Sequence, residues 1–167
     1  MFHGLKANCR GRCACTTFYT PSNQHESVRL SDWIGQYNVL LFFMREFSCP
    51  SCRQTVSHLK SLYPELQAAG VSVFIIGGGD HKYAEQLATL YKLPFPVLAD
   101  LRREVYAQYG LHKVVKLNQQ SGTYLIDKQG ILRYMRQATL AFQSFSARDL
   151  MQAVKELANT TPVVQTS

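Results

Sequence analysis

The sequence predicts an α/β fold of three layers, a mixed central sheet flanked by helices. Three observations point there. Residues 38–44 are an unbroken apolar run, the mark of a strand buried on both faces, and Val56, Leu59, Leu62 and Leu66 follow at helical spacing. A second apolar run, residues 71–76, leads through Gly77-Gly78-Gly79-Asp80 into a helical pattern over 81–91. Nearer the C-terminus, Asp127-Lys128-Gln129-Gly130 separates two strand-like runs and reads as a hairpin turn. These pieces make one domain over 16–158, between a cysteine-containing tail at 1–15 and a short tail at 159–167.

Taken in order, residues 16–19 form a short β segment, 21–26 a turn and 28–30 a second short strand. Ser31 and Asp32 start a brief turn through Trp33, whose indole is expected to pack under the sheet. The helix after the first buried strand carries Pro64 well inside it. It is expected to kink or end there, with a last piece reaching the stop signal at Gly70. Asp80 suits the N-cap of the next helix. The glycine run before it has neither the Gly-Lys-Ser/Thr ending of a phosphate loop nor G-x-G-x-x-G, so it reads as a turn. Residues 93–100 give a proline-bounded strand, 102–109 a helix stopped by Gly110, and Val114-Val115 a brief pairing. Residues 122–126 and 131–136 are the hairpin strands, the second alternating apolar and basic residues. Residues 146–157 form a terminal helix with Leu150, Val154 and Leu157 on one face.

Composition narrows the function. The chain has 167 residues, 46% hydrophobic and 17% charged, ordinary for one globular domain with its own core. No run approaches the length of a membrane span, and the first residues lack the apolar core of a secretory signal. A cytoplasmic location is therefore expected. The net charge of +7 is scattered, without a basic stretch interleaved with aromatics, which argues against nucleic-acid binding.

Cys49-Pro50-Ser51-Cys52 lies where the buried strand turns into a helix. Cys49 falls at the N-cap, and Pro50 takes the first helical position, where its missing N–H costs nothing. Unsatisfied amide N–H groups and the positive helix end stabilise a thiolate at Cys49, with Arg45 and Arg53 close in sequence. Cys52, one turn on, is placed to attack a mixed disulfide or sulfenic acid formed on Cys49. Cys49 is thus the candidate nucleophile and Cys52 the resolving thiol. A disulfide staple or half of a zinc site are the structural alternatives, but no second C-x-x-C or H-x-x-x-H follows. Cys9, Cys13 and Cys15 do not match a zinc knuckle. Metal binding, disulfides and subunit bridging stay open for them beside an incidental role, and no cofactor is called for.

A family resemblance adds to this reading. Val28-Arg29-Leu30-Ser31-Asp32, the segment 39–52 with Arg45 before the C-P-S-C motif, and Phe95-Pro96-Val97-Leu98-Ala99-Asp100 with Tyr109-Gly110 occur in order, followed by Thr123-Tyr124-Leu125-Ile126-Asp127 with Gly130. Over about residues 16–157 the chain resembles the thioredoxin superfamily, in its peroxiredoxin-like branch of alkyl hydroperoxide reductases and thiol-specific antioxidants. The resemblance implies a thioredoxin-like fold with a peroxiredoxin-like N-terminal extension. It matches Cys49 to the active-site cysteine and Cys52 to the second cysteine of thioredoxins. Typical peroxiredoxins carry P-x-x-x-T-x-x-C; here Phe42 stands at the proline position and Glu46 at the threonine. Their arginine, and the cis-proline of thioredoxins, would fall near Ser121. Arg45 is a partial substitute for those groups, and Glu46 a proton acceptor for Cys52, a charge that raises the thiol pKa, or a plain surface residue.

The expected function is a thiol–disulfide redox protein that exchanges electrons with a protein or small-molecule disulfide. A peroxidase reducing hydrogen peroxide or alkyl hydroperoxides through a Cys49 sulfenic acid is the alternative, and a redox-inert or redox-sensing binding module the third. The partners implied are a thioredoxin-like or other dithiol donor and a peroxide or disulfide substrate. Neither nucleic acid nor membrane is among them, and a homodimer is left open.

Overall fold

The computed structural model describes residues 20–21, 27–28, 30–114 and 118–160. Strands β1 (Thr20–Pro21) and β2 (Ser27–Val28) pair antiparallel ahead of a 3₁₀ turn at Leu30–Asp32. The main succession is β3 (Asn38–Phe43), α1 (Pro50–Ala68), β4 (Val71–Gly77), α2 (His81–Tyr91) and β5 (Val97–Ala99). It continues with α3 (Glu104–Gln108), the small pair β6 (Lys113–Val114) and β7 (Asn118–Gln119), β8 (Ser121–Ile126), β9 (Leu132–Ala138) and α4 (Ala147–Thr160).

Five strands form one mixed sheet in the order β5-β4-β3-β8-β9. β3 lies at its centre, parallel to β4 and antiparallel to β8. That position explains its composition: Val39 through Phe43 are all fully buried, with side chains alternating between two cores. Leu40, Phe42 and Met44 join Cys52, Val56, Leu59 and Leu66 of α1, with α2 and α4 on the same face. Val39, Leu41 and Phe43 join Tyr106 and Tyr109 on the opposite face, around α3. Trp33 packs on that second face, its ring 5.2 Å from Phe74 and edge-on. A mixed sheet flanked by helices is the predicted class.

Several boundaries differ from expectation for physical reasons. Helix α1 runs unbroken through Pro64 to Ala68 instead of ending there. Proline removes one hydrogen bond, to the Lys60 carbonyl, while Leu62, Tyr63 and Leu66 around it stay anchored in the core. Gly70, at φ +69°, then turns the chain into β4 as expected. The predicted 102–109 helix keeps only Glu104–Gln108, because Arg103 adopts a left-handed backbone, φ +56°. The 93–100 strand is limited to Val97–Ala99, paired to β4. The expected strand at 28–30 is replaced by β2 at Ser27–Val28 followed by the 3₁₀ turn. The β segment expected at 16–19, the N-terminal cysteines and Val115 lie outside the described residues. No helix among the described residues is long and apolar enough to cross a membrane.

Candidate active site

The C-terminal ends of β3, β4 and β5 and the start of β8 converge at one edge of the sheet, where α1 begins. Leaving β3, the Met44 amide still donates to Ile76 O at 2.8 Å, and the next five residues form a tight loop to the helix. Cys49 is the N-cap of α1: its sulfur accepts the amide N–H of Cys52 at 3.4 Å. Pro50, exposed, begins the helix as expected. The Cys49 amide closes the loop onto Glu46 O at 3.1 Å, and Arg53 Nε reaches back to Phe47 O at 2.7 Å.

The two cysteines are both free thiols but occupy different environments. Cys49 is half-buried and reachable from the surface; Cys52 is fully buried under it. Cys52 Sγ accepts the backbone N–H of Arg45 at 3.3 Å. Burial, above all, pushes the Cys52 thiol up to about 12, and the bond to Cys49 pushes the same way, against the lowering effect of the Arg45 amide and charge. At neutral pH Cys52 is therefore a protonated thiol shielded from solvent. Its accessible target is the sulfur of Cys49, at the other end of a Cys52 N–H···Sγ bond.

The other predicted residues are placed as follows. Arg45 is half-buried in the loop and its charge is felt at Cys52. Glu46 is exposed, and its carboxylate is ion-paired with Arg103. Ser121 opens β8 on the sheet face that carries Leu125 and α1, its hydroxyl buried with no hydrogen-bond partner among the described residues. Among the described residues no group of three or more metal-ligating side chains is gathered. Cys9, Cys13 and Cys15 lie outside them.

Sequence reasoning missed the parts that hold this loop. Phe47 is buried against the turn after β4: a Cβ on Gly77 would stand 2.1 Å from its ring, and one on Gly79 2.8 Å. The glycine run is thus a socket for the loop's one buried aromatic. Arg103 Nη2 donates to Arg45 O at 3.1 Å and to Gly78 O at 3.4 Å besides pairing with Glu46. Its guanidinium sits 4.9 Å over the Tyr106 ring. Tyr106, wholly buried, offers its hydroxyl to Met44 O, with Ile76 O 3.1 Å away, and burial drives its phenol well above the usual range. Asp100 fixes α3 beneath them, accepting the amides of Glu104, Val105 and Tyr106 at 2.9–3.1 Å. Only the Gly-Gly-Gly string signalled any of this, and its meaning depends on contacts that form in the fold.

A model of the AhpC/TSA family matches residues 12–135. The chain belongs to the AhpC/TSA family. It is 28% identical over 123 residues to a putative peroxiredoxin bcp of Coxiella burnetii, a match covering 69% of this chain and 80% of that protein. The thiol-disulfide oxidoreductase ResA of Geobacillus thermodenitrificans is 29% identical over 113 residues, 67% of this chain and 60% of the relative. The chain spans about half the length of the chloroplastic peroxiredoxins Q it matches, 51% of that of Triticum aestivum and 56% of that of Oryza sativa. In fold it is similar to the crystal structure of peroxidoxin BcpB from Mycobacterium tuberculosis, with a TM-score of 0.72 at 21% identity over 87% of this chain and 94% of that one. The fold is thus of the thioredoxin type, and the family is one of thiol-dependent oxidoreductases.

Proposed function

We propose that this protein is a two-cysteine thiol peroxidase whose reacting pair is Cys49 and Cys52. One observation carries the choice of this pair: a surface-reachable sulfur caps a helix, and a buried, protonated thiol sits behind it. The Cys49 thiolate attacks one peroxide oxygen, the O–O bond breaks, and the departing oxygen leaves as alcohol or water after taking a proton. Cys49 becomes a sulfenic acid. Cys52 then attacks that sulfur, and its proton leaves with the sulfenic hydroxyl as water, giving the Cys49–Cys52 disulfide. A thioredoxin-like dithiol donor restores the pair, its own thiols ending as a disulfide. The proton that Cys52 must lose to attack is taken up by the leaving hydroxide, so the step releases water and no net charge.

Arg45, whose charge acts on Cys52, is the cation this reading uses, and Ser121, its buried hydroxyl without a hydrogen-bond partner among the described residues, is a polar group on the α1 face. Among the relatives, those named peroxiredoxins favour peroxide as the oxidant. A second reading, exchange with a disulfide substrate, is supported by Glu46 and Ser121 at the two family positions and by the ResA-like relative. A dithiol regenerated at each turnover suits a reducing compartment, in this reading the cytoplasm. The test uses full-length protein with Cys9, Cys13 and Cys15 changed to serine, reduced and mixed with hydrogen peroxide, an alkyl hydroperoxide or a model disulfide. Peroxide is expected to form the Cys49–Cys52 disulfide fastest, and Cys49→Ser to abolish it. Exchange with the disulfide alone would replace the peroxidase by the second reading.

A further inference from the structure

We propose that Arg103, remote in sequence from both cysteines, is a positioning residue for the second redox step. The inference rests on Cys52 being the resolving thiol. The peptide unit of Arg45 is used at both ends: its N–H donates to Cys52 Sγ at 3.3 Å, while its carbonyl accepts from Arg103 Nη2 at 3.1 Å. The bond on the sulfur is therefore aimed by a side chain 58 residues away in sequence. The same guanidinium binds Gly78 O and the Glu46 carboxylate, and it is stacked over Tyr106. Its side chain is 18% exposed, and its Nη1 is buried without a hydrogen-bond partner among the described residues. One nitrogen, Nη2, thus touches a carbonyl on each of two loops, and the stacking of the guanidinium over Tyr106 holds it there.

The backbone strengthens the argument. Arg103 holds a left-handed conformation, φ +56° and ψ 31°, that costs free energy outside glycine. That turn throws its side chain back toward the loop while Asp100 anchors the helix that follows. Gly78 completes the arrangement. A Cβ there would meet the Arg103 guanidinium at 2.2–2.4 Å, and these are its three nearest atoms. The glycine thus leaves room for the arginine, and its own backbone is not left-handed. Cys52 must lose its proton before it attacks Cys49, and a well-aimed N–H stabilises the negative charge this leaves on its sulfur. The charged and titratable groups around that sulfur are Cys49 and Arg45 from the loop and helix start, and Tyr106 from α3. Cys49, accepting from the helix amide, does not depend on the Arg45 peptide.

The test needs no physiological substrate. Reduced full-length protein with Cys9, Cys13 and Cys15 changed to serine is mixed with the aromatic disulfide DTNB. Cys49 attacks it and releases one thionitrobenzoate; Cys52 then displaces the second, losing its proton and closing the intramolecular disulfide. Each release is read as a separate phase in one trace. Arg103→Met and Gly78→Ala, which displaces the guanidinium without removing it, are expected to slow the second phase about tenfold, the loss of one hydrogen bond to a developing thiolate. The first phase is expected to change less than about twofold, and Arg103→Lys to recover part of the second. The pH midpoint of the second phase should rise in both slow variants. Equal slowing of both phases, or an unchanged second phase, overturns the proposal. A protein that passes this test yet fails to react with peroxide would contradict the peroxidase reading alone.

Discussion

Cys49 and Cys52 are separated by two residues, yet the helix start gives one a surface and the other a burial site. Their chemistry should separate the same way. Cys52→Ser is expected to retain stoichiometric oxidation at Cys49 but form no intramolecular disulfide, whereas Cys49→Ser loses both, as thiol titration and intact mass would report. Burial of Cys52 also ties stability to pH. Its folded value near 12 lies above the ordinary 9.0, so between those limits the folded state holds a proton that the unfolded state has lost. The contribution is fully present below pH 9 and declines above it by about 1.4 kcal/mol per pH unit. Urea unfolding of the reduced protein from pH 8 to 10.5 should show a steeper decline for wild type than for Cys52→Ala. Parallel curves would mean that Cys52 is not held as a buried thiol.

At the scale of elements, the socket after β4 and the run of α1 through Pro64 make separate predictions. Gly77→Ala puts a methyl into the Phe47 ring, and overpacking of this kind costs about 1–3 kcal/mol, to be read from the urea midpoint. Pro64→Ala, in contrast, restores the missing helix hydrogen bond and should stabilise by about 1 kcal/mol or more, with redox rates unchanged. Local chemistry in the sequence was enough to find the strand-to-helix turn at Cys49, the Asp80 cap and the Gly70 stop, since each depends on neighbours in the chain. It failed where distant packing decides. Pro64 obeys a local rule that the anchored faces of α1 override. The glycine run looks like any turn until Phe47 and Arg103 arrive against it from other loops. Glu46 is exposed, as its surface reading expected, but its pairing with an arginine 57 residues on was not legible.

For the whole molecule, sheet order is the organising fact. Placing β3 between β4 and β8 brings three loops and the start of α1 to one edge, where the dithiol lies. The fold class was legible because central strands buried on both faces must be apolar throughout, and two such runs are present. The oxidant was less legible, since peroxide and disulfide reactions share a helix-capping thiolate and a resolving thiol. The most direct test of the central claim is to trap the first intermediate. Reduced Cys52→Ser protein would be given one equivalent of hydrogen peroxide with dimedone present, and the modified residue located by peptide mass. A single adduct at Cys49, replaced in the Cys52-containing protein by the Cys49–Cys52 disulfide, is the result predicted. Cys49 left unmodified, or adducts confined to Cys9, Cys13 and Cys15, would contradict it.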